Sequence, residues 1–459
     1  MADGPLFAGP AMRRLRRREG MTQSAMADRL SISASYLNLI ERNQRPVTAR
    51  VLVQVVDQFE FDPRALREDE SIGGVDGLAR RLADERFSDL AVDRDEVAEF
   101  LANAPHAAAA FVRLYDDAGP GTARPDDPLS ACQLEVERWR NHFADLDSAS
   151  ETLADELRLS RSDIAAAILE RLRDEHQISL RILPEDIMPD DLSRIDLHAR
   201  QLQVNEMLDC ADRLFEMAIQ LSWLEHRQLI RSLASGSKFP DDTSRALFER
   251  HLASYAAHAL IMPYGRFLRA CEATGYDLDI LQRRFSCSLA HLAFRLTSLQ
   301  RVGQRGLPFA MLEFDAAAQF VTGHAGASGA NFVDGGGRCP KWPCFMADGA
   351  NSALAVAAVE VESGAAGPAC WLMIAGRVAK PMGAGLRTIL LCLDAKLAGD
   401  IAASRGISLR QDDAVKAGAG CWRCHRPACR QRIAPPSGAN LSLDSFRRSA
   451  TFWTFGQTG

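Results

Sequence analysis

Several features that define other classes of protein are missing from this 459-residue chain. It has no run of about 18 apolar residues, so no membrane-spanning helix is expected. Its first residues, MADGPLFAGPAMRR, lack the charged-then-apolar order of a signal peptide, which predicts a cytoplasmic protein. Its 11 cysteines are odd in number and six of them stand singly, which argues against a disulfide framework.

The composition is that of a globular chain with an uneven distribution of charge. Hydrophobic residues make up 47% and charged residues 25%, and the length predicts two to four domains. Residues 11–50 contain nine arginines and three acidic residues, a net charge of +6, whereas the whole chain carries −6. The rest therefore carries −12, a pattern that can direct the basic head to DNA and keep the acidic body away from it.

The clearest pattern lies between Met21 and Pro46 and predicts two short helices joined by a tight turn. Met26 and Leu30 recur at helical spacing in the first helix, and Thr22 is placed to cap it. Ser33 is placed to cap the second helix, whose apolar stripe comprises Tyr36, Leu37 and Ile40. The polar residues expected to face away from that stripe are Ser35, Asn38, Glu41 and Arg42.

This arrangement suits DNA binding, because the second helix of such a pair lies in the major groove and presents its first residues to the bases. Short polar side chains can approach base edges, while arginines and amides can hold phosphates. A helix pair used only as a protein contact is the alternative, and the clustered basic residues favour DNA. The candidate DNA-binding residues are Gln23, Ser33, Ser35, Tyr36, Asn38, Arg42, Asn43 and Arg45.

The T-Q, S-xx-Y-L and N-x-R-P elements of this stretch resemble the lambda-repressor-like (XRE) helix-turn-helix family. The resemblance implies a five-helix bundle over residues 1–66. Residues 67–128 are expected to form a helical connector and linker. That connector either pairs with its own copy in a dimer or packs as an intramolecular spacer.

The middle region, residues 129–305, predicts three helices, a strand at 178–183, a second strand within 195–204, and further helices. The helix over 207–224 and the helix over 243–260 resemble the α+β ImmA/IrrE metallopeptidase-like domain. That family carries H-E-xx-H, two zinc ligands and a general base on one helix. Here Ile219, Gln220 and Trp223 stand in those positions, so we expect no catalytic residues and no enzyme activity.

The C-terminal region, residues 306–459, predicts an α+β domain. Four short apolar or alternating runs read as strands, at 311–314, 353–360, 370–374 and 388–393. A helix is expected over residues 395–404, and the Gly-rich residues 322–337 are expected to form a loop.

Two cysteine motifs stand out in this region. One is Cys339-P-K-W-P-Cys344, and the other is the C-x2-C-x4-C run of Cys421, Cys424 and Cys429. Basic neighbours favour the thiolates that metals bind. Three clustered thiols plus one from residues 339–344 would make four ligands, which either zinc or an iron–sulfur cluster accepts.

Together these features resemble the short-chain fatty acyl-responsive XRE regulators. The motifs that carry this resemblance are Met262-Pro263-Tyr264, Arg295-Leu296-Thr297-Ser298-Leu299-Gln300, Gly306-Leu307-Pro308-Phe309, Cys339-Pro340-x-Trp342 and Cys421-x2-Cys424. The resemblance implies a short-chain acyl-CoA effector and, for some members, a [4Fe–4S] cluster, with Cys339 as the preferred fourth ligand. The family's basic pair after Asp315 is absent, so the acyl-CoA and its binding residues stay unassigned.

The sequence therefore predicts a sequence-specific transcription regulator that binds double-stranded operator DNA as a homodimer, without membrane association. It responds to short-chain acyl-CoA and to redox state through a cysteine-bound cluster. The alternatives are an antitoxin-like autoregulatory protein with a structural zinc site, and a residual metallopeptidase, which the lost H-E-xx-H motif disfavours.

Overall fold

The structure, a computed structural model, divides the chain into two units that are described separately below. The first comprises Met1–Gly119, Gly364–Gly367 and Cys421–Gly459, and the second comprises Pro120–Ser363 and Pro368–Gly420. The described residues are 12–13, 15–16, 19–41, 45, 47–59, 74–82, 87, 90, 92–117, 127–160, 163–333, 338–346, 354–362, 368–383, 385–426 and 429–436.

The head of the first unit begins its helices at the predicted caps. The Thr22 hydroxyl accepts a hydrogen bond from the Ala25 backbone N–H, and the Ser33 hydroxyl accepts one from that of Tyr36. Met26, Leu30, Leu37, Ile40 and other apolar side chains close a small core beneath these helices. Among the residues that the structure describes, this head includes the helices α1 (Gln23–Arg29), α2 (Ala34–Glu41) and α3 (Ala49–Phe59).

The connector is helical, as predicted, and has a small core of its own. Buried Leu78, Val97, Leu101 and Val112 pack together across its three helices. Its apolar stripes are thus largely used inside the chain, which agrees with the intramolecular spacer. The helices are α4 (Gly74–Leu82), α5 (Arg94–Asn103) and α6 (Pro105–Asp117).

The second unit starts with the helices predicted between residues 129 and 175, followed by a small sheet. The predicted strand within 195–204 is in fact two antiparallel strands joined by a turn. The sheet order is β1-β3-β2, with β1 parallel to β3. These elements are α7 (Pro128–Arg138), α8 (Ala144–Ser160), α9 (Ile164–Asp174), β1 (Ser179–Leu183), β2 (Ser193–Asp196) and β3 (Gln201–Asn205).

Six further helices build the main core of this unit. The 20-residue Asp242–Ile261 helix is buried along most of its last three turns and packs against its neighbours on several sides. It ends before Pro263, which cannot continue a helix hydrogen-bond pattern. The helices are α10 (Cys210–Glu225), α11 (Arg227–Ser235), α12 (Asp242–Ile261), α13 (Tyr264–Thr274), α14 (Leu278–Phe285) and α15 (Leu289–Thr297).

A six-stranded sheet completes the second unit, with order β5-β4-β8-β7-β6-β9. Neighbouring strands are antiparallel except for β6 and β9. Alternate residues serve two cores: Leu391 faces the helical core, whereas Cys392 faces a second core that includes Trp342. The elements are β4 (Ala310–Phe314), β5 (Phe320–His324), α16 (Pro343–Met346), β6 (Ala355–Glu362), β7 (Pro368–Ala379), β8 (Leu386–Asp394) and β9 (Val415–Gly418).

One sequence expectation for this region is wrong, and another is wrong in part. The helix expected over residues 395–404 is only two 3-10 turns, Ala395–Leu397 and Ala402–Ser404, because Gly399 and Asp400 interrupt it. Of the Gly-rich segment expected to form a loop, residues 325–333 do so, but residues 322–324 belong to strand β5. Gly323 allows close packing there, because a Cβ would lie 2.9 Å from a Val333 methyl group.

A buried ion-pair network ties together sequence motifs that lie far apart. The Arg295 guanidinium, fully buried, lies 2.7 Å from the Asp147 carboxylate and donates to the Met262 carbonyl at 3.0 Å. Arg301 reaches the same carboxylate at 2.9 Å, and its backbone N–H donates to the Tyr264 hydroxyl. The Met262-Pro263-Tyr264 and Arg295–Ser298 motifs therefore meet at Asp147, which explains their residue types structurally.

Candidate nucleic-acid interface and cysteine loop

The candidate DNA-binding residues that are described lie on or near the surface of the head. Ser33, Ser35 and Arg45 are exposed, while Tyr36 and Asn38 are half-buried on α2. The Arg45 backbone N–H donates to the Leu39 carbonyl at 3.2 Å, which holds the chain as it leaves this helix. Arg42 and Asn43 lie outside the described residues.

Glu41 does not face away from the apolar stripe, as the sequence analysis expected. It is 3% exposed, and its carboxylate accepts hydrogen bonds from Arg16 Nε at 2.7 Å and from Gln23 Nε2 at 2.8 Å. Burial alone would raise the pKa of Glu41, but the bonds from Arg16 and Gln23 and the nearby arginine charges lower it below its usual value. Its burial could have been predicted from its position four residues after Leu37, which places both side chains on the same, buried face of the helix.

The side chain of Gln23 therefore connects α1 to α2 within the protein, besides any contact with DNA. Its Nε2 also lies 3.4 Å from Asn38 Oδ1, so it joins the start of α1 to the exposed side of α2. Arg13 adds a bond from Nη2 to the Glu41 carbonyl at 2.8 Å. A basic first segment, α1 and α2 thus share one polar junction.

The degenerate peptidase helix is part of the core. Ile219 and Trp223, which stand where zinc ligands would be, are partly buried and pack against the main core. Leu252 and Ala253, near the position of the third ligand, are fully buried. The side chains at the former metal position serve packing, which agrees with the interpretation that the fold is kept and the motif lost.

The residue pattern did not reveal a line of two histidines and a carboxylate that joins three helices: Asp212 on α10, His258 on α12 and His291 on α15. His258 Nδ1 donates to the Ser254 carbonyl at 2.7 Å, and its Nε2 lies 3.1 Å from His291 Nδ1. His291 Nε2 in turn lies 3.4 Å from the Asp212 carboxylate. Burial and the neighbouring His291 keep the pKa of His258 well below its ordinary value, so its imidazole is neutral.

One arginine braces the described backbone of the three-cysteine motif. Arg432, 4% exposed, donates from Nη1 to the Cys421 carbonyl at 2.8 Å and from Nη2 to the Cys424 carbonyl at 2.7 Å. Nη2 also donates to the Arg426 carbonyl at 2.9 Å. Cys424 is buried, and Cys421 and Cys429 are half-buried. One guanidinium therefore fixes the backbone that carries two of the three thiols.

The chemistry of this segment suits a soft metal. Residues 414–443 contain no aspartate or glutamate, so thiols and one histidine are the donors that the segment offers, and these select zinc or iron–sulfur clusters over calcium or magnesium. Cys339 belongs to the second unit, where it lines the Trp342 core. Across the described ranges no three His, Cys, Asp or Glu side chains come close enough to hold a metal ion, so the ligand set stays a prediction.

Three family models match successive parts of the chain. Residues 9–69 match the helix-turn-helix domain, and residues 173–297 match the IrrE N-terminal-like domain of the M78 peptidases. Residues 298–453 match the C-terminal domain of the short-chain fatty acyl coenzyme A regulators. These matches confirm the three-part resemblance read from the motifs.

Curated relatives match along almost the whole chain. The chain is 30% identical to the HTH-type transcriptional regulator RamB of Mycobacterium tuberculosis, over 97% of this chain and 98% of RamB. It is 28% identical to the HTH-type transcriptional regulator PrpR of the same organism, over 95% and 93%. It is 29% identical to the propionyl-CoA carboxylase regulator of Cereibacter sphaeroides, over 96% and 97%.

A solved structure also has a fold similar to that of this chain. It is a Mycobacterium tuberculosis transcriptional regulator that matches with a TM-score of 0.66 at 27% identity. The match covers 72% of this chain and 99% of that chain. In the described part of the present chain, no helix combines the length and the apolar character needed to span a membrane.

Proposed function

The chain belongs to the family of helix-turn-helix short-chain fatty acyl coenzyme A regulators, and on that premise we propose that it binds operator DNA and responds to a short-chain acyl-CoA. The observation that carries the DNA-binding half is the head, where two capped helices join at the Glu41 junction and expose Ser33, Ser35 and Arg45. Its net charge of +6 over residues 11–50 supports phosphate binding.

The effector half of the proposal is supported by the match of residues 298–453. The printed name of the Cereibacter sphaeroides relative links that protein to propionyl-CoA carboxylase. The chain lacks a basic pair between Gln319 and Thr322, so the proposal covers short-chain acyl-CoAs as a class and does not name one chain length.

Two chains would bind one operator. Paired half-sites would then lie about one helical turn apart, roughly 34–36 Å between centres. The basic head and acidic body suit this arrangement, because the body carries −12 and would be repelled by the phosphates outside the half-sites.

We also propose that Cys421, Cys424 and Cys429, with Cys339 as fourth ligand, hold a [4Fe–4S] cluster; zinc is the alternative. When bound, a cluster would supply a redox-sensitive link between two segments far apart in the sequence, whereas zinc would supply an inert one. Arg423, Arg426, Arg430 and Arg432 would offset the negative charge of the thiolates.

The DNA-binding proposal is tested by in vitro selection with the intact chain, followed by affinity measurements at several salt concentrations. Arg45→Ala should weaken binding to all sequences alike and reduce the salt slope by about 1. Arg283→Ala, which removes an exposed charge from the second unit, is the matched control and should leave the slope unchanged. Failure of the intact chain to enrich any sequence would contradict the proposal.

The cluster proposal is tested on protein purified without oxygen, by iron and sulfide assays and an absorption spectrum. Replacing Cys421, Cys424 or Cys429 by serine should remove the chromophore, while Cys344→Ser should keep it. Colourless, iron-free protein with one tightly held zinc per chain would exclude the cluster and support the structural alternative.

A further inference from the structure

The Glu41 junction fixes the direction of every hydrogen bond in it. Glu41 accepts two bonds from Arg16, at 2.7 and 3.1 Å, so its carboxylate is charged and can only accept. The Gln23 side-chain atom that lies 2.8 Å from this carboxylate must therefore be the donor, its amide nitrogen. The carbonyl oxygen of Gln23 is left on the other side of the amide group.

The same nitrogen fixes the orientation of Asn38. Gln23 Nε2 can only donate, so the Asn38 atom 3.4 Å away must be an acceptor, the carbonyl oxygen Oδ1. The other polar group of Asn38 is then its amide nitrogen, which makes no hydrogen bond to the other described residues of the chain. Asn38 thus presents a donor.

The position of Asn38 places that donor where bases are read. It lies three residues after exposed Ser35, on the helix that occupies the major groove in this motif. At the major-groove edge guanine offers two acceptors and thymine one, whereas cytosine offers only its amino donor. Adenine offers an acceptor beside a donor.

We propose that Asn38 is a specificity-determining residue that reads guanine or thymine and disfavours cytosine, with its orientation set by Glu41 through Gln23. This inference rests on the proposed binding of operator DNA. It also changes the role predicted for Gln23: its side-chain nitrogen already donates to Glu41 and Asn38, so this group is not the one that holds a phosphate.

Substitution of Asn38 should reverse the preference, not merely weaken it. Asn38→Asp keeps the oxygen that accepts from Gln23 and replaces the outward donor with an acceptor. One position in each half-site should change from guanine or thymine to cytosine or adenine, with about tenfold discrimination in each direction. Asn38→Ala should reduce discrimination at that position and leave the other positions unchanged.

Substitution of Gln23 tests the origin of the orientation. Gln23→Met has nearly the same length but no donor, so the Asn38 amide becomes free to rotate. Discrimination at the Asn38 position should fall several-fold although Asn38 itself is unchanged, and this fall should exceed any change in affinity for non-specific DNA. Thr22→Ser, which keeps the helix cap next to Gln23, is the matched control and should keep the preference.

The experiment is in vitro selection on the intact wild-type chain and these variants, with circular dichroism to check that the head is folded. Failure of the wild type to select any sequence would contradict the proposed function itself. Specific binding in which Asn38→Asp selects the same base as the wild type would overturn the inference alone. A base change in Asn38→Asp together with relaxed selection in Gln23→Met is the result we expect.

Discussion

Two buried carboxylates in this chain each bind arginine and one uncharged donor, and the two arrangements have different consequences. Asp147, with no exposed side-chain surface, accepts from Arg295, Arg301 and the Tyr255 hydroxyl, all inside the second unit. Glu41, with 1% of its side chain exposed, accepts from Arg16 and Gln23, and Gln23 then donates to Asn38 on α2, the helix that we propose faces DNA. The hydrogen bonds of a buried ion pair can thus all stay inside the core, as at Asp147, or they can fix the orientation of a side chain nearer the surface, as Glu41 does for Asn38.

The largest loss of stability is expected from breaking the buried ion pair of Asp147 and Arg295. Asp147→Asn leaves the fully buried Arg295 without a counter-charge, and removing one partner of a buried pair costs about 3–5 kcal/mol. Tryptophan fluorescence during denaturant unfolding should report this loss, since four of the six tryptophans lie in the second unit. The control is Asp155→Asn, whose partner Arg266 is partly exposed, with an expected cost below about 1 kcal/mol. Equal losses from both substitutions would contradict the account of Asp147.

Breaking the Glu41 ion pair should reduce stability less than breaking the Asp147 pair, but it should also disturb the hydrogen bonds that reach Asn38. Glu41→Gln removes a charged acceptor shared by Arg16 and Gln23, and such hydrogen bonds contribute about 1.5–3 kcal/mol. Hydrogen exchange of the head should increase across residues 23–41. Because Arg16 keeps some exposure, the loss should stay below that of Asp147→Asn. A head as stable as the wild type would show that the junction does not hold these helices.

The stability of the head and that of the second unit should also depend differently on pH between about 4 and 6.5. The first 105 residues contain no histidine. Burial lowers the pKa of His324, in the second unit, to about 4 from the ordinary 6.5. Between those values the unfolded chain binds a proton that the folded chain does not. Stability should therefore fall as the pH drops from about 6.5 to about 4, by up to about 1.4 kcal/mol per pH unit for this group.

Thermal unfolding of the second unit across that pH range checks this expectation. His324→Gln should make the dependence shallower, whereas His198→Gln, which changes an exposed histidine of the same unit, should not. A pH dependence that is identical in wild type and His324→Gln would exclude His324 as a source of acid sensitivity.

The smallest effect concerns Arg432, a buried arginine that donates to backbone carbonyls, whereas Arg295 and Arg16 bind carboxylates. Arg432→Lys cannot reach the carbonyls of Cys421, Cys424 and Arg426 together, because an ammonium group lacks the planar fork of a guanidinium. Peptides containing Cys421 and Cys424 should exchange amide hydrogens about tenfold faster, with little change in global stability. Arg430→Lys, at an exposed neighbour, should match the wild type. Equal exchange in both variants would exclude the brace.

Features that depend on near neighbours in the sequence were predictable. Thr22 and Ser33 cap helices through bonds to residues three positions away, and the degenerate motif at Ile219, Gln220 and Trp223 is visible on one helix. The T-Q and S-xx-Y-L spacings likewise placed α1 and α2. Local patterns therefore defined the domain types and most of the candidate DNA surface.

Features that depend on distant partners were not predictable. Glu41 looked solvated because its partner Arg16 lies 25 positions earlier, and Arg295 reaches across to Asp147 only in the folded chain. The bracing of the cysteine turn by Arg432 depends on where backbone carbonyls point, which residue types do not reveal. Strand β5 (Phe320–His324) was not predicted, because Gly323 is more typical of a loop and its role in close packing depends on the distant Val333.

The most direct test of the central claim is the operator affinity of the intact chain, measured with increasing propionyl-CoA and, in parallel, with free coenzyme A and a long-chain acyl-CoA. A linked effector typically changes affinity by a factor of about 5–150. We predict a saturable change in that range with the short-chain thioester, and a smaller change with the long-chain one. An operator affinity that stays constant at every concentration of short-chain acyl-CoA, in protein that binds its operator specifically, would contradict the account.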